Sequence, residues 1–161
     1  MDKPTSEQFE HINNQLISEF SKTLEMFSLN QTEAQLFVTL FFNDEPMTLD
    51  DMKDALGRSK TAMSNATRTL LDFNLIERVF IKGARKDLYQ AKKDLYDKFM
   101  KTYVSRWLSA IDQQLSSLDS IQSQVQESNI NSDSLDNKLT EAIKFHRSLE
   151  EVFKQISQYD Q

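Results

Sequence analysis

The chain has no cysteine, which removes disulfides, thiolate metal sites and a cysteine nucleophile. It has two histidines, His11 and His146, too far apart in sequence to suggest a metal or catalytic cluster. Two glycines and two prolines in 161 residues leave few breakers, which favours long helices over a β-rich fold. No apolar run approaches the ~18 residues of a membrane span, and the opening MDKPTSEQ carries no apolar signal core. The protein is therefore expected to be cytoplasmic, with no membrane partner. A Ser/His/Asp or Cys/His set and a glycine-rich phosphate loop are also missing, so no catalytic residue, metal or cofactor is expected and the chain does not read as an enzyme. Its length suits one domain, or one small domain with a helical extension, and is enough to bury a core.

The net charge of −6, taken alone, argues against a nucleic-acid partner. Its distribution argues the other way. Residues 57–93 carry nine cations (Arg58, Lys60, Arg68, Arg78, Lys82, Arg85, Lys86, Lys92, Lys93) and three acids (Asp72, Glu77, Asp87), a local balance of +6 that leaves −12 for the remainder. A positive island on a negative body is the electrostatic footprint of a DNA binder. A randomly mixed solvated surface is the plainer alternative.

Residues 5–28 have an amphipathic helical pattern. Thr5 and Gln8 have capping-box spacing, and Phe9, Ile12, Leu16, Phe20, Leu24 and Phe27 recur at steps of three and four. A second helix starts near Asn30 or Thr32. Ala34, Leu36, Phe37, Val38, Leu40, Phe41 and Phe42 leave it almost no polar face, as in a buried helix, and Pro46 bars its continuation.

Thr48 with Asp51 caps a third helix, which Gly57 stops in a left-handed conformation. Ser59 caps a fourth. Its inward stripe is Met63, Ala66, Leu70 and Phe73, and the opposite stripe is Thr61, Ser64, Asn65 and Arg68. That second stripe is rich in donors, and no acid lies between Gly57 and Asp72. Arg68 and Lys60 can reach guanine edges or phosphates, Asn65 can pair with adenine, and small Ser or Thr let the backbone approach. An ordinary exposed helix face is the alternative. A strand over Leu75–Ile81, a turn at Lys82-Gly83-Ala84-Arg85 and a return strand over Lys86–Gln90 make a hairpin. Lys82, Arg85 and Lys86 at its tip have no core role and suit contact with the DNA backbone or minor groove.

Asp94 caps a long fifth helix reaching about Gln126, roughly 33 residues and on the order of 50 Å. In a sixth helix Leu135, Leu139, Ala142, His146, Leu149, Phe153 and Ile156 alternate four and three, a coiled-coil register. Stripes of this length are most economically covered by a second copy, giving a homodimer. An intramolecular helical hairpin is the alternative. His146 in that seam reads as a hydrogen-bonded interface histidine rather than a pH switch.

The fold class is thus mainly α with a small β-hairpin wing: a winged helix-turn-helix DNA-binding domain flanked by dimerisation helices. Residues 1–29 form a dimerisation or scaffold helix, 30–93 the DNA-binding domain, and 94–161 the long C-terminal helices for dimerisation and ligand sensing. The DNA-binding candidates are Ser59, Lys60, Thr61, Ser64, Asn65, Arg68, Lys82, Gly83, Arg85 and Lys86. The expected partner is double-stranded DNA with a pseudo-palindromic operator.

From about Phe27 to Ile111, roughly half the chain, the sequence resembles the MarR-like winged-helix regulators, and within them the GbsR-type branch. The resemblance is carried by PMTLDDM, LGRSKTAMSNATRTLL, RVFIKGARKDLY and DLYDKFMKTYVSRW. It implies a dimeric repressor of choline uptake and glycine betaine synthesis genes that responds to choline or a related trimethylammonium compound. A quaternary ammonium has no hydrogen to donate and is held by aromatic faces. Tyr96, Phe99, Tyr103 and Trp107 follow at steps of three, four and four, with Phe41 and Phe42 on the Phe37 helix as a candidate opposing wall. Together they are the candidate cage, with Tyr103 and Trp107 foremost because their polar atoms suit a partly wet site. Leu95 and Phe80 stand where Trp is expected in this branch. Core packing is the plainer reading of aromatics at helical spacing. The alternative functions are a MarR-like regulator responding to a different small molecule, and a coiled-coil interaction module without an effector.

Overall fold

The computed structural model describes residues 5–159, apart from the side chains of Lys98 and Phe99. The chain divides into two compact units, residues 1–98 and 99–161. Its elements are α1 (Ser6–Glu25), α2 (Gln31–Phe42), α3 (Leu49–Leu56), α4 (Lys60–Asp72), β1 (Ile76–Val79), β2 (Leu88–Ala91), α5 (Leu95–Glu127) and α6 (Asp133–Gln158).

In the first unit, local chemistry sets the helix ends. Thr5 with Gln8, Asn30 with Glu33 and Thr48 with Asp51 form reciprocal capping boxes at the starts of α1, α2 and α3. Each satisfies two backbone donors that the helix itself leaves unpaired. Gly57 closes α3 at φ 63, a left-handed stop open to glycine without strain. Ser59 then accepts from the Ala62 amide to begin α4. Asn74, at φ 58, follows the end of α4.

The core of this unit gathers around α2, where Ala34, Leu36, Phe37, Val38 and Leu40 are buried, as expected of a helix without a polar face. α1, α3, α4 and β2 all pack against it. Met52 from α3 and Met63, Ala66 and Leu70 from α4 complete the interior. Thr67 is buried as well, and its hydroxyl donates to the Met52 sulfur at 3.6 Å. Only the second half of α1 joins this core. Phe20 packs on Phe41 and Phe42, and Leu24 is buried, whereas Phe9, Ile12 and Leu16 are exposed.

The hairpin is shorter than the strand pattern suggests. β1 and β2 pair antiparallel from Ile76↔Ala91 to Val79↔Leu88, so the connecting segment is residues 80–87 rather than a four-residue turn. Longer strands would bring Lys82, Arg85 and Lys86 into pairing range, and like charges across a ladder oppose it. Gly83, at φ 90, makes the tight turn, and the Ala84 amide donates to the Ile81 carbonyl. Phe80 is 92% exposed at the start of this loop. A third, one-residue partner appears on the other edge, where Met47 bridges Tyr89.

In the second unit, Val104, Ile111 and Leu115 of α5 and Leu139 of α6 are buried. Phe153 of α6 stacks on Trp107 of α5 at 5.1 Å between ring centroids and lies 6.4 Å from Tyr103. The linker of residues 128–132 lets α6 run back along α5, and this part of the α6 seam finds its cover within its own chain. Phe145 and Val152 on α6 and Ile121 on α5 stay exposed. His146 donates from Nδ1 to the Ala142 carbonyl at 2.7 Å, one helical turn back; a carbonyl can only accept, so Nδ1 carries the hydrogen.

Candidate nucleic-acid interface

α2, α3 and α4 form the helix-turn-helix, and the β1–β2 hairpin is its wing. Because Met63, Ala66, Thr67 and Leu70 anchor α4 to the core, the other face of that helix must look outward. Ser59, Lys60, Thr61, Asn65 and Arg68 are exposed on it, and Ser64 is half-buried. Lys82, Gly83, Arg85 and Lys86 are exposed on the wing loop. A narrow polar helix and a basic loop thus share one side of the unit.

One participant comes from outside both sets. Asp50, in the first turn of α3, lies 3.1 Å from Lys60 Nζ through Oδ1 and accepts from Lys86 Nζ at 2.5 Å through Oδ2. One carboxylate therefore ties the start of α4 to the wing loop. The hydrogen bond from Lys86, then that from Lys60, hold the Asp50 pKa down to about 2, and Asp50 raises that of Lys86 in return. Thr48, Leu49, Asp50, Lys60, Arg85, Lys86 and Asp87 line a cleft of about 320 Å³ between them. Arg58, Arg68, Lys82 and Arg85 make no ion pair with the described residues. Sequence reading missed Asp50 because its lysine on the wing is 36 residues away. The one local hint was an acid inside the Thr48–Asp51 capping box that the box does not use.

Four of the six aromatic candidates make ring contacts within their own units. Phe41 stacks with Phe37 at 6.1 Å and meets Phe42 edge-on at 5.5 Å. Lys93 sits over the Phe41 ring at 5.7 Å while donating to the Phe41 carbonyl at 3.1 Å, so this aromatic face already holds a cation. In the C-terminal unit Tyr103, Trp107 and Phe153 cluster, with Tyr103 and Trp107 5.9 Å apart. Phe153 was not among the candidates, since its heptad position marked it only as seam. Tyr96 is exposed, and the side chain of Phe99 lies outside the described residues.

Among the described residues, no helix is long and apolar enough to cross a membrane. No protein-family model matches the chain. It is 32% identical over 111 residues to the HTH-type transcriptional repressor OpcR of Bacillus subtilis, a match covering 69% of this chain and 60% of that protein. It is 25% identical over 149 residues to the HTH-type transcriptional repressor GbsR of the same organism, covering 92% and 82% respectively. The chain thus spans less than two thirds of the length of OpcR. A crystal structure described as that of a transcriptional regulator shares the fold, with a TM-score of 0.65 at 19% identity over 90% of this chain and 95% of that one. With its helix-turn-helix and wing in place, the chain is related to the HTH-type transcriptional repressors OpcR and GbsR and shares the winged helix-turn-helix fold of the solved regulator.

Proposed function

We propose that the protein is a homodimeric, sequence-specific DNA-binding repressor controlled by choline or a related quaternary ammonium compound. The observation that carries the DNA-binding reading is the exposed, acid-free face of α4 from Ser59 to Arg68, set beside the wing cations Lys82, Arg85 and Lys86. Ser64, Asn65 and Arg68 supply donors for base edges in the major groove. Ser59, Lys60 and Thr61 at the helix N-terminus meet phosphates, where helix amides and their dipole favour negative charge. The wing, with Gly83 allowing close approach, adds backbone contacts that fix the register. Residues 30–93 are the DNA-binding domain in this reading, with residues 1–29 and 94–161 serving dimerisation and, in the latter, sensing.

The uncovered Phe9, Ile12 and Leu16 of α1 favour a second copy, since an apolar stripe of this kind gains from leaving water. Two copies place two α4 helices on one duplex, which suits a pseudo-palindrome with half-sites about one helical turn apart. Phe153 covers one face of Trp107, and Trp107 remains partly exposed beside Tyr103, which suits a cation held by aromatic faces. Regulation then needs the ligand to bind the DNA-competent and DNA-incompetent forms with different affinity. The kinship with GbsR-type regulators favours genes of choline uptake and glycine betaine synthesis as the target.

Thermal unfolding with choline, glycine betaine and a neutral isostere tests the sensor. Stabilisation by choline that disappears in Trp107→Ala supports it. Equal behaviour with all three compounds leaves a regulator of some other effector.

A further inference from the structure

We propose that Asp50 is a built-in competitor for Lys60 and Lys86 that weakens binding to DNA of the wrong sequence. The inference rests on the DNA-binding reading above. Asp50 stands on α3, Lys60 on α4 and Lys86 on the wing loop, so a single carboxylate contacts cations from two separate parts of the interface. It is also selective: among the described residues Arg58, Arg68, Lys82 and Arg85 make no ion pair with it, although Arg85 lines the same cleft.

The consequence follows from how the two kinds of DNA binding are built. Binding to any sequence comes from cations that displace counterions from phosphates. A lysine already neutralised by a carboxylate contributes less to that term, and the carboxylate itself repels phosphate. Base-edge contacts from Ser64, Asn65 and Arg68 do not involve Asp50, so recognition of the right sequence is spared. The Asp50 side chain is 33% exposed and its two lysines more so. Pairs this wet are weak, and a phosphate array in the right place can take over either lysine. The carboxylate is ionised at physiological pH, as an ordinary aspartate is, and the two lysines favour that form further. Asp50 is thus a specificity-determining residue that need not touch DNA.

The test compares the wild-type chain with Asp50→Asn on two duplexes of equal length, one enriched from a random pool by the wild type and one scrambled. Across a salt series, Asp50→Asn is expected to bind the scrambled duplex up to about tenfold more tightly, with a log–log salt slope steeper by about 1–2. The ratio of affinities for the two duplexes falls, Asp50→Ser behaves alike, and Asp50→Glu restores the wild-type ratio. Loss of a mere structural brace would weaken both affinities and flatten the slope; that result, or an unchanged slope, overturns the proposal. Wild type that enriches no duplex overturns the DNA-binding reading itself, and this inference with it.

Discussion

Met47 and Tyr89 exchange both of their backbone hydrogen bonds, N–H to carbonyl in each direction at 2.9 Å. A two-stranded hairpin alone is marginal in water. Here the segment leading into α3 adds a third contact to it, and the Tyr89 side chain is buried with the Arg78 guanidinium 5.6 Å over its ring. The wing is therefore tied by its backbone to the helix that precedes the recognition helix. Removing the Tyr89 side chain should loosen that tie: Tyr89→Ala is expected to cost roughly 3 kcal/mol, as for other buried aromatics, in urea unfolding. A cost no larger than that of an exposed residue would mean that the wing is held some other way.

Gly57 makes the turn between α3 and α4 possible. A Cβ there meets nothing within 4 Å, so the cost of a side chain is conformational rather than steric crowding. Gly57→Ala is expected to lose about 1 kcal/mol. Gly57→Asn should lose less, because Asn tolerates the left-handed region. Thermal unfolding of the three proteins in parallel checks the order.

Acid should uncouple the wing from α4. Asp50 has a folded-state pKa of about 2 against an ordinary 3.8. A lowered carboxylate pKa means that its contribution to stability is present above the ordinary value and is lost as pH falls through the folded one. The bridges to Lys60 and Lys86 are therefore expected to persist to about pH 4 and to vanish between there and about pH 2. Carboxyl-carbon NMR should report Asp50 titrating in that window, while the Asp50→Asn protein shows no such signal. Asp51, lowered by hydrogen bonds from Thr48, and Glu150, lowered by Lys154 and Arg147, move in the same direction. An Asp50 midpoint near 3.8 would show that the two lysines do not hold it.

The apolar end of α1 should matter to assembly and little to the fold of one chain. Leu16 is exposed, so Leu16→Asp is expected to change the stability of an isolated chain by no more than about 0.5 kcal/mol. It should nonetheless convert a dimer to a monomer in light scattering. A variant that stays dimeric would move the interface elsewhere, with the outer face of α6 around Phe145 and Val152 as the next candidate.

What the sequence made legible is what short-range chemistry decides. The capping boxes at Thr5 and Thr48, the Ser59 cap, the Gly57 stop and the all-apolar α2 depend on residues a few positions apart. The 33-residue length of α5 could be read because apolar steps of three and four run its whole length. What escaped depends on pairs far apart in the chain. Nothing near Asp50 announces Lys86, nothing near Met47 announces Tyr89, and Phe153 reads as coiled-coil seam until Trp107 is found against it. The wing loop was misjudged for a related reason. β-prone residues continue through Ile81, but strand pairing needs a compatible partner opposite, and the observed register would set Phe80 and Ile81 against the charged Asp87 and Lys86, and Lys82 against Arg85.

The central claim is that the acid-free face of α4 reads DNA while the wing grips its backbone. The most direct measurement is a titration of the wild-type protein, its Arg68→Ala variant and its Lys82→Ala variant against the enriched and scrambled duplexes over a salt series. Arg68→Ala is expected to lose about 1–3 kcal/mol on the enriched duplex and much less on the scrambled one. Lys82→Ala should weaken both alike and reduce the salt slope by about 1. Equal affinity of the wild type for both duplexes, unaltered by either substitution, would contradict the account.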